Sequence, residues 1–154
     1  MSDEELLLHN LKWDCRFLEM AKLISTWSKD PNTQVGAVIV DANRRVVSTG
    51  YNGFPRGIED DIRLSIREQK LKLIVHAEQN AILFSNNNQP LNNCTIYTYP
   101  FMPCSTCAGH IIQVGWINRV VSFKSNSTNW EEHFMQSRKM FEEVDIELLE
   151  LEND

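Results

Sequence analysis

Apolar positions recur along this chain in two rhythms, one with the period of a helix and one in the short runs of buried strands. Phe17, Ala21, Ile24 and Ser28 stand at 0, 4, 7 and 11, flanked by Leu18 and Trp27, which predicts a helix over Trp13 to Lys29. Asp30-Pro31-Asn32 ends it with turn chemistry. Val35 to Val40 is almost continuously apolar and predicts a buried strand; Asp41 to Arg44 is a turn, and Arg45 to Tyr51 returns as its hairpin partner. Asn52 to Gly57 is a loop of residues that permit tight turns, and the charged stretch Ile58 to Leu73 has room for a short surface helix. His76 to Phe84 reads as a helix through Ala77, Ala81 and Phe84, and Ser85 to Asn93 as a polar loop.

The second half continues the alternation. Cys94 to Tyr99 is a strand, and Cys104 to Val114 a helix ended by Gly115. Arg119 to Phe123 is a strand, and Trp130, Phe134, Phe141 and Val144 mark an amphipathic helix at 0, 4, 11 and 14. Ile146 to Leu151 is a last strand. Strand-helix-strand order implies parallel pairs, so the expected fold is α/β, a mixed five-stranded sheet with helices packed on it.

At 154 residues, with no internal repeat and no boundary in composition, the chain reads as a single domain over 1–154. A net charge of −6 excludes a broad basic nucleic-acid surface. The beginning, Met1-Ser-Asp-Glu-Glu, is acidic where a secretory signal is basic, and no stretch is long and apolar enough to span a bilayer. The expectation is a cytoplasmic protein with no membrane partner, whose four cysteines stay reduced.

Those cysteines change the picture. His76-Ala77-Glu78 and Pro103-Cys104-Ser105-Thr106-Cys107 offer an imidazole, a carboxylate and two thiols three residues apart. Zinc favours four such ligands in a tetrahedron, and catalytic sites keep one position for water. Residues at i and i+3 share a helix face, so Cys104 and Cys107 can chelate one ion with His76, and Pro103 suits a first helical turn. A helix start also favours thiolate over thiol. Glu78 is spared from ligation and is free to carry protons. A lone Cys-x-x-Cys also suits a redox pair or half of a structural zinc knuckle. A structural site needs a fourth ligand, and His110, the nearest candidate, lies about 4.5 Å further along the helix at about 1.5 Å per residue. It reads as packing or surface. His9 and His133 read as solvated, Cys15 and Cys94 as small core or strand-edge residues.

His-x-Glu with Pro-Cys-x-x-Cys is the signature of zinc-dependent base deaminases. Together with Ser28-Lys29-Asp30-Pro31-Asn32-Thr33-Gln34-Val35-Gly36-Ala37 and Gly50-Tyr51-Asn52-Gly53-Phe54-Pro55-Arg56-Gly57, it makes residues 13 to 150 resemble the deoxycytidylate (dCMP) deaminases. The resemblance implies a three-layer cytidine-deaminase-like fold with helices on both sheet faces. It implies hydrolysis of dCMP to dUMP and ammonia, feeding thymidylate synthesis, with one zinc ion per subunit on His76, Cys104 and Cys107. Glu78 takes the proton of the attacking water, protonates N3, and helps the amine leave. The backbone N–H groups of Ala77 and Cys104 face the base carbonyl and the hydrated intermediate, and the carbonyl of Met102 accepts from the amino group. Asn52 holds the sugar hydroxyl. The loop from Ser28 to Thr33 lies near the 5′-phosphate with Lys29 as countercharge, and Arg56 is a further candidate contact. A homohexamer and control by dCTP and dTTP are implied as well.

Two other readings use the same residues. A polynucleotide base deaminase of the tRNA adenosine type shares the zinc motifs, and Cys107-Ala108-Gly109 is reminiscent of it; the acidic charge and the lack of a basic, aromatic-interleaved stripe stand against it. A non-catalytic zinc-binding subunit has no use for Glu78.

Overall fold

The computed structural model describes residues 1–85, 90–126 and 129–153. Part of the polar loop expected at Ser85 to Asn93 lies outside them. Helix α1 runs over Asp3–Ser25 and so begins ten residues before the expected start at Trp13. Its start is fixed by a capping box. The Glu5 N–H donates to Ser2 Oγ at 3.1 Å and the Ser2 N–H to Glu5 Oε2 at 2.9 Å, with Asp3, Glu4 and Glu5 in the favourable first turn. The helix also stops at Ser25, short of the expected Lys29, and the chain to Ser28 unwinds through tight turns.

Strands β1 (Gly36–Val40) and β2 (Val46–Tyr51) form the expected hairpin. Asp41 Oδ1 organises its turn by accepting from the N–H groups of Asn43 and Arg45, each at 2.9 Å. A 3₁₀ turn (Ile62–Ser65) and α2 (Arg67–Leu73) follow, then α3 (Ala77–Leu83), β3 (Cys94–Tyr99), α4 (Ser105–Val114), β4 (Ile117–Phe123), α5 (Glu131–Glu143) and β5 (Glu147–Leu151). The sheet order is β2-β1-β3-β4-β5. β1 runs antiparallel to both neighbours, and β3, β4 and β5 are mutually parallel. The mixed five-stranded sheet is therefore as expected.

The two-residue alternation of the strands sorts the core into two layers. Ala37, Ile39, Ile96 and Val120 pack with Ala77, Ala81, Ala108, Ile111 and Phe141 of α3, α4 and α5. Val38, Val40, Tyr97 and Val121 point the other way and meet Phe17, Leu18, Ala21 and Ile24 of α1. A buried ion pair clamps α1 to the sheet. Arg119 of β4 grips Asp14 through two N–H···O bonds of 2.7 and 2.8 Å, and the Tyr97 hydroxyl donates to the same carboxylate at 2.7 Å. Burial, followed by that carboxylate, pushes the Tyr97 hydroxyl well above its ordinary range. Cys15, expected in the core or at a strand edge, is exposed, because its neighbour Asp14 and Phe17 occupy the sheet-facing side of α1. Cys94 is buried at the start of β3. Val144 lies past the end of α5 and is exposed.

Two glycines set how near the helices come. A Cβ on Gly36 would collide with the backbone of α1 at Ala21 and Ser25, and one on Gly50 with the backbone of α3 at Ala77 and Ala81. Backbone cannot step aside as a flexible side chain can, so Gly50→Ala must push α3 off the sheet. We expect a loss of about 1–3 kcal/mol, the usual cost of overpacking, together with weakened zinc retention, because α3 begins beside His76. Urea melts and metal analysis check this, with Gly53→Ala as control, since no atom lies within 4 Å of a Cβ there.

Candidate active site

His76 and Cys104 are the N-cap residues of α3 and α4, and both have extended backbone. The chain enters α3 through an antiparallel bridge between Val75 and Gly53, and the Gln79 side chain secures the first turn by accepting from the His76 N–H at 2.9 Å. The approach to α4 is held at two points. The Thr98 hydroxyl donates to the Phe101 carbonyl at 2.8 Å, and the buried Ser137 hydroxyl of α5 donates to the Pro103 carbonyl at 2.9 Å. Pro103 stands one position before the N-cap and not in the first turn. Its missing N–H costs nothing there.

These constraints bring the ends of α3 and α4 together. His76 Nδ1 lies 3.6 Å from Cys104 Sγ and 3.3 Å from Cys107 Sγ. A tetrahedron with Zn–S of about 2.3 Å and Zn–N of about 2.0 Å has S···N edges of about 3.5 Å. The donor set and its spacing thus fit one zinc ion, held by three protein ligands with the fourth position left over. Cys104 is lowered to about 4, chiefly by the hydrogen bond from Cys107 and with help from His76, while that bond and burial drive Cys107 up. The bond to Cys104 raises His76 in turn. A dication held there would favour the deprotonated form of both sulfurs.

Glu78 is buried in the first turn of α3, and it is not among the three clustered ligands. Burial raises its carboxyl above the usual range, and the negative charge of Cys104 adds to that. His76, Ala77, Glu78 and Cys104 line one end of a cleft of about 210 Å³. Phe101, Trp130 and Phe134 give it an aromatic wall, the rings of Phe101 and Phe134 lying 5.5 Å apart. A roomier cleft of about 490 Å³ lies beside α1 and the β1–β2 turn, but it holds no thiol, and its Asp14 and Arg119 are spent on one another.

The other residues singled out from the sequence are dispersed. Asn52 lines the cleft, yet its side chain is largely committed: Oδ1 accepts from the Val35 N–H at 2.9 Å, and Nδ2 donates to the Thr33 carbonyl at 2.9 Å and to Asp30 at 3.4 Å. Lys29 does not line the cleft; its side chain is 73% exposed and pairs with Asp60 at 3.2 Å. Met102 is buried outside the cleft wall, and Arg56 lies over the Phe84 ring. His110 is exposed and within 3.4 Å of Gln79, and His133 is within 3.3 Å of the Ser105 hydroxyl. Sequence reasoning read Trp130 and Phe134 only as marks of an amphipathic helix and assigned no role to Phe101 or to Arg67 and Lys70 of α2, all of which line the cleft. The one signal for the last two was their i, i+3 spacing just upstream of His76.

With this geometry in view, the likenesses to known proteins are specific. The cytidine and deoxycytidylate deaminase zinc-binding region matches residues 11–124. A protein of Aliivibrio fischeri, described as an uncharacterized deaminase in the luxG 3′ region, is 43% identical over 140 residues, covering 89% of this chain and 92% of that one. A probable deoxycytidylate deaminase of Caenorhabditis elegans is 42% identical, covering 86% of this chain and 66% of that one. The deoxycytidylate deaminase of Homo sapiens is 38% identical over 137 residues, or 85% and 75% of the two chains. In fold, the chain matches the dCMP deaminase of cyanophage S-TIM5 with a TM-score of 0.70 at 19% identity, over 98% of this chain and 100% of that one. The three-layer cytidine-deaminase-like architecture follows from that match, and the ligand cluster at the meeting of two helix ends is the feature named by the matching region: the chain belongs to the cytidine and deoxycytidylate deaminase zinc-binding family.

Proposed function

We propose that this chain is an enzyme of one domain that hydrolyses dCMP to dUMP and ammonia. The observation that carries the reading is a three-ligand zinc cluster at tetrahedral spacing with the buried, non-ligating Glu78 beside it in one cleft. Relatives named as deoxycytidylate deaminases support the substrate, as does the fold shared with a phage enzyme described in complex with dCMP and dUMP. Bound on His76, Cys104 and Cys107, zinc lowers the pKa of water and acts as a Lewis acid.

The protein's own groups do the rest. Glu78, with its carboxyl raised by burial, accepts one proton from the attacking water and delivers it to N3 of the base. It then takes the second proton from the hydroxyl added at C4 and passes it to the amine, which leaves as ammonia while the C4 carbonyl forms. The aromatic wall of Phe101, Trp130 and Phe134 receives the flat pyrimidine and keeps bulk water from its faces. The N–H groups of Ala77 and Cys104 donate to the base carbonyl and the developing charge. Both Nδ2 donors of Asn52 are occupied, so its role toward the sugar falls to Oδ1, whose second lone pair accepts from the 3′-hydroxyl.

A homo-oligomer, a hexamer in its full form, is part of the same proposal. Support comes from apolar surface beside the sheet edge. Trp27 and Tyr51 stack edge to face at 6.2 Å, Asn80 ties α3 to the Tyr51 carbonyl, and the end of α3 exposes Leu83 at 71% and Phe84 at 58%. Control by dCTP and dTTP rests on the family resemblance alone. A cytoplasmic setting suits thiol ligands that must stay reduced, and no described helix is long and apolar enough to cross a membrane.

Three outcomes test this reading. Cys104→Ala or Cys107→Ala loses zinc, whereas Glu78→Gln keeps zinc and fold and loses roughly 10²–10⁴-fold in kcat; metal analysis beside ammonia release separates the two, and near-normal turnover by Glu78→Gln refutes the proton role. Sedimentation at micromolar concentration shows an oligomer, and a lone monomeric species overturns the assembly. Finally, kcat/KM for dCMP exceeds that for deoxycytidine by a factor of about 30 to several thousand. That range corresponds to the 2–5 kcal/mol or so of leaving a buried charged group without its partner. Equal efficiency on the two substrates removes the nucleotide assignment.

A further inference from the structure

One buried cation in the cleft wall has no part in the chemistry above. Lys70 of α2 is 6% exposed and lines the cleft. Its Nζ donates to Asp30 Oδ1 at 3.2 Å, and among the described residues that carboxylate is its one hydrogen-bond partner. An ammonium group carries three donors. Two are left without a protein acceptor in a place where unmet donors are costly. Asp30, by contrast, is held at both oxygens. Oδ1 also accepts from the N–H groups of Asn32 at 2.9 Å and Thr33 at 3.3 Å, and Oδ2 accepts from Asn52 at 3.4 Å. The carboxylate is a fixed anchor, and Lys70 is the group it positions.

Arg67 stands three residues before Lys70 on α2, lines the same cleft, and makes no ion pair among the described residues. This part of the wall therefore carries two cations against one carboxylate. Lys29, the cation that the sequence pointed to, is turned to solvent and paired with Asp60.

We propose that Lys70, positioned by Asp30 and assisted by Arg67, recognises the 5′-phosphate of the nucleotide, an inference that rests on the monophosphate substrate proposed above. A phosphate monoester supplies acceptor oxygens for the two spare Nζ donors. Lys70 also separates the phosphate from Asp30, which would otherwise repel it. The polar loop at residues 28–33 then serves the phosphate indirectly, through the carboxylate of Asp30 and not through the ammonium of Lys29. A purely structural pair joining α2 to that loop has the same contacts but a different consequence. Its loss harms every substrate alike.

The test is kcat/KM on dCMP and on deoxycytidine, with zinc content measured on each protein. Lys70→Met lowers the value for dCMP by about 30-fold or more while leaving that for deoxycytidine nearly unchanged, and Arg67→Ala narrows the preference by roughly two- to fivefold, as for an exposed charge. Lys70→Met leaves Asp30 buried without its partner. Should that protein not fold, Asp30→Asn with Lys70→Met removes both charges and reads the same ratio. Equal losses on both substrates show a structural role and overturn the inference. So does a preference that survives these changes, or one that collapses only in Lys29→Ala. A wild-type enzyme with no preference for dCMP refutes the substrate assignment itself, which is a separate failure.

Discussion

Three candidate metal ligands from two distant stretches of chain have to reach one point, and the constraint that achieves this is the meeting of two helix starts beside one sheet. The parallel pair β3–β4 sends α4 off the end of β3, and α3 reaches the same place because Gly50 lets its backbone lie directly on β2. Hydrogen bonds from Thr98 and Ser137 then fix the turn before Cys104. An N-cap is normally given to Ser, Thr, Asp or Asn, whose side chains satisfy the first N–H groups. Here Cys104 makes no such bond. Helix stability is given up at that cap so that the side chain is free for a metal, the local cost that functional sites commonly carry.

The same convergence gathers ionisable groups in a largely buried place. Glu78 is buried with its carboxyl raised, Cys104 is lowered to about 4, and the bond to Cys104 raises His76. A dication on these ligands favours the thiolate form of both sulfurs and the carboxylate form of Glu78. Zinc affinity and folding stability are therefore linked here in the way expected of a site assembled only in the folded chain.

The sheet, its hairpin and the order of the larger helices were legible because each strand is a short apolar run and the second half of α1 and α5 repeat with a helical period. The ligand set was legible because metal chemistry tolerates few residue types at few spacings. The start of α1 was missed for a physical reason. Leu6, Leu7 and Leu8 are exposed, so no buried face marks this stretch as helical, and the evidence lay instead in the Ser2 to Glu5 capping box. Cys15 was misplaced because burial was inferred from residue type where helix phase decided it. Lys70 was hidden by its neighbours: two lysines in a charged segment read as a solvated face, and no periodicity in seven residues of helix shows which one turns inward.

The polar loop at residues 28–33 shows how far a motif can be read from its letters. Its residues are largely spent on architecture. The Ser28 hydroxyl donates to the Asn52 carbonyl at 2.8 Å, Gln34 donates to the Ser28 carbonyl at 2.8 Å, and Asp30 gathers donors from Asn32, Thr33, Asn52 and Lys70. A residue type that suits a ligand is thus no guide to which atom meets it, because the protein draws on the same lone pairs and N–H groups for its own closure. Asn52 keeps one acceptor and Lys70 keeps two donors. Those remainders are what the cleft can offer a substrate. They are also complementary to a nucleotide, an acceptor for a hydroxyl and donors for a phosphate, so the architecture that consumes the motif leaves over the groups that recognition requires.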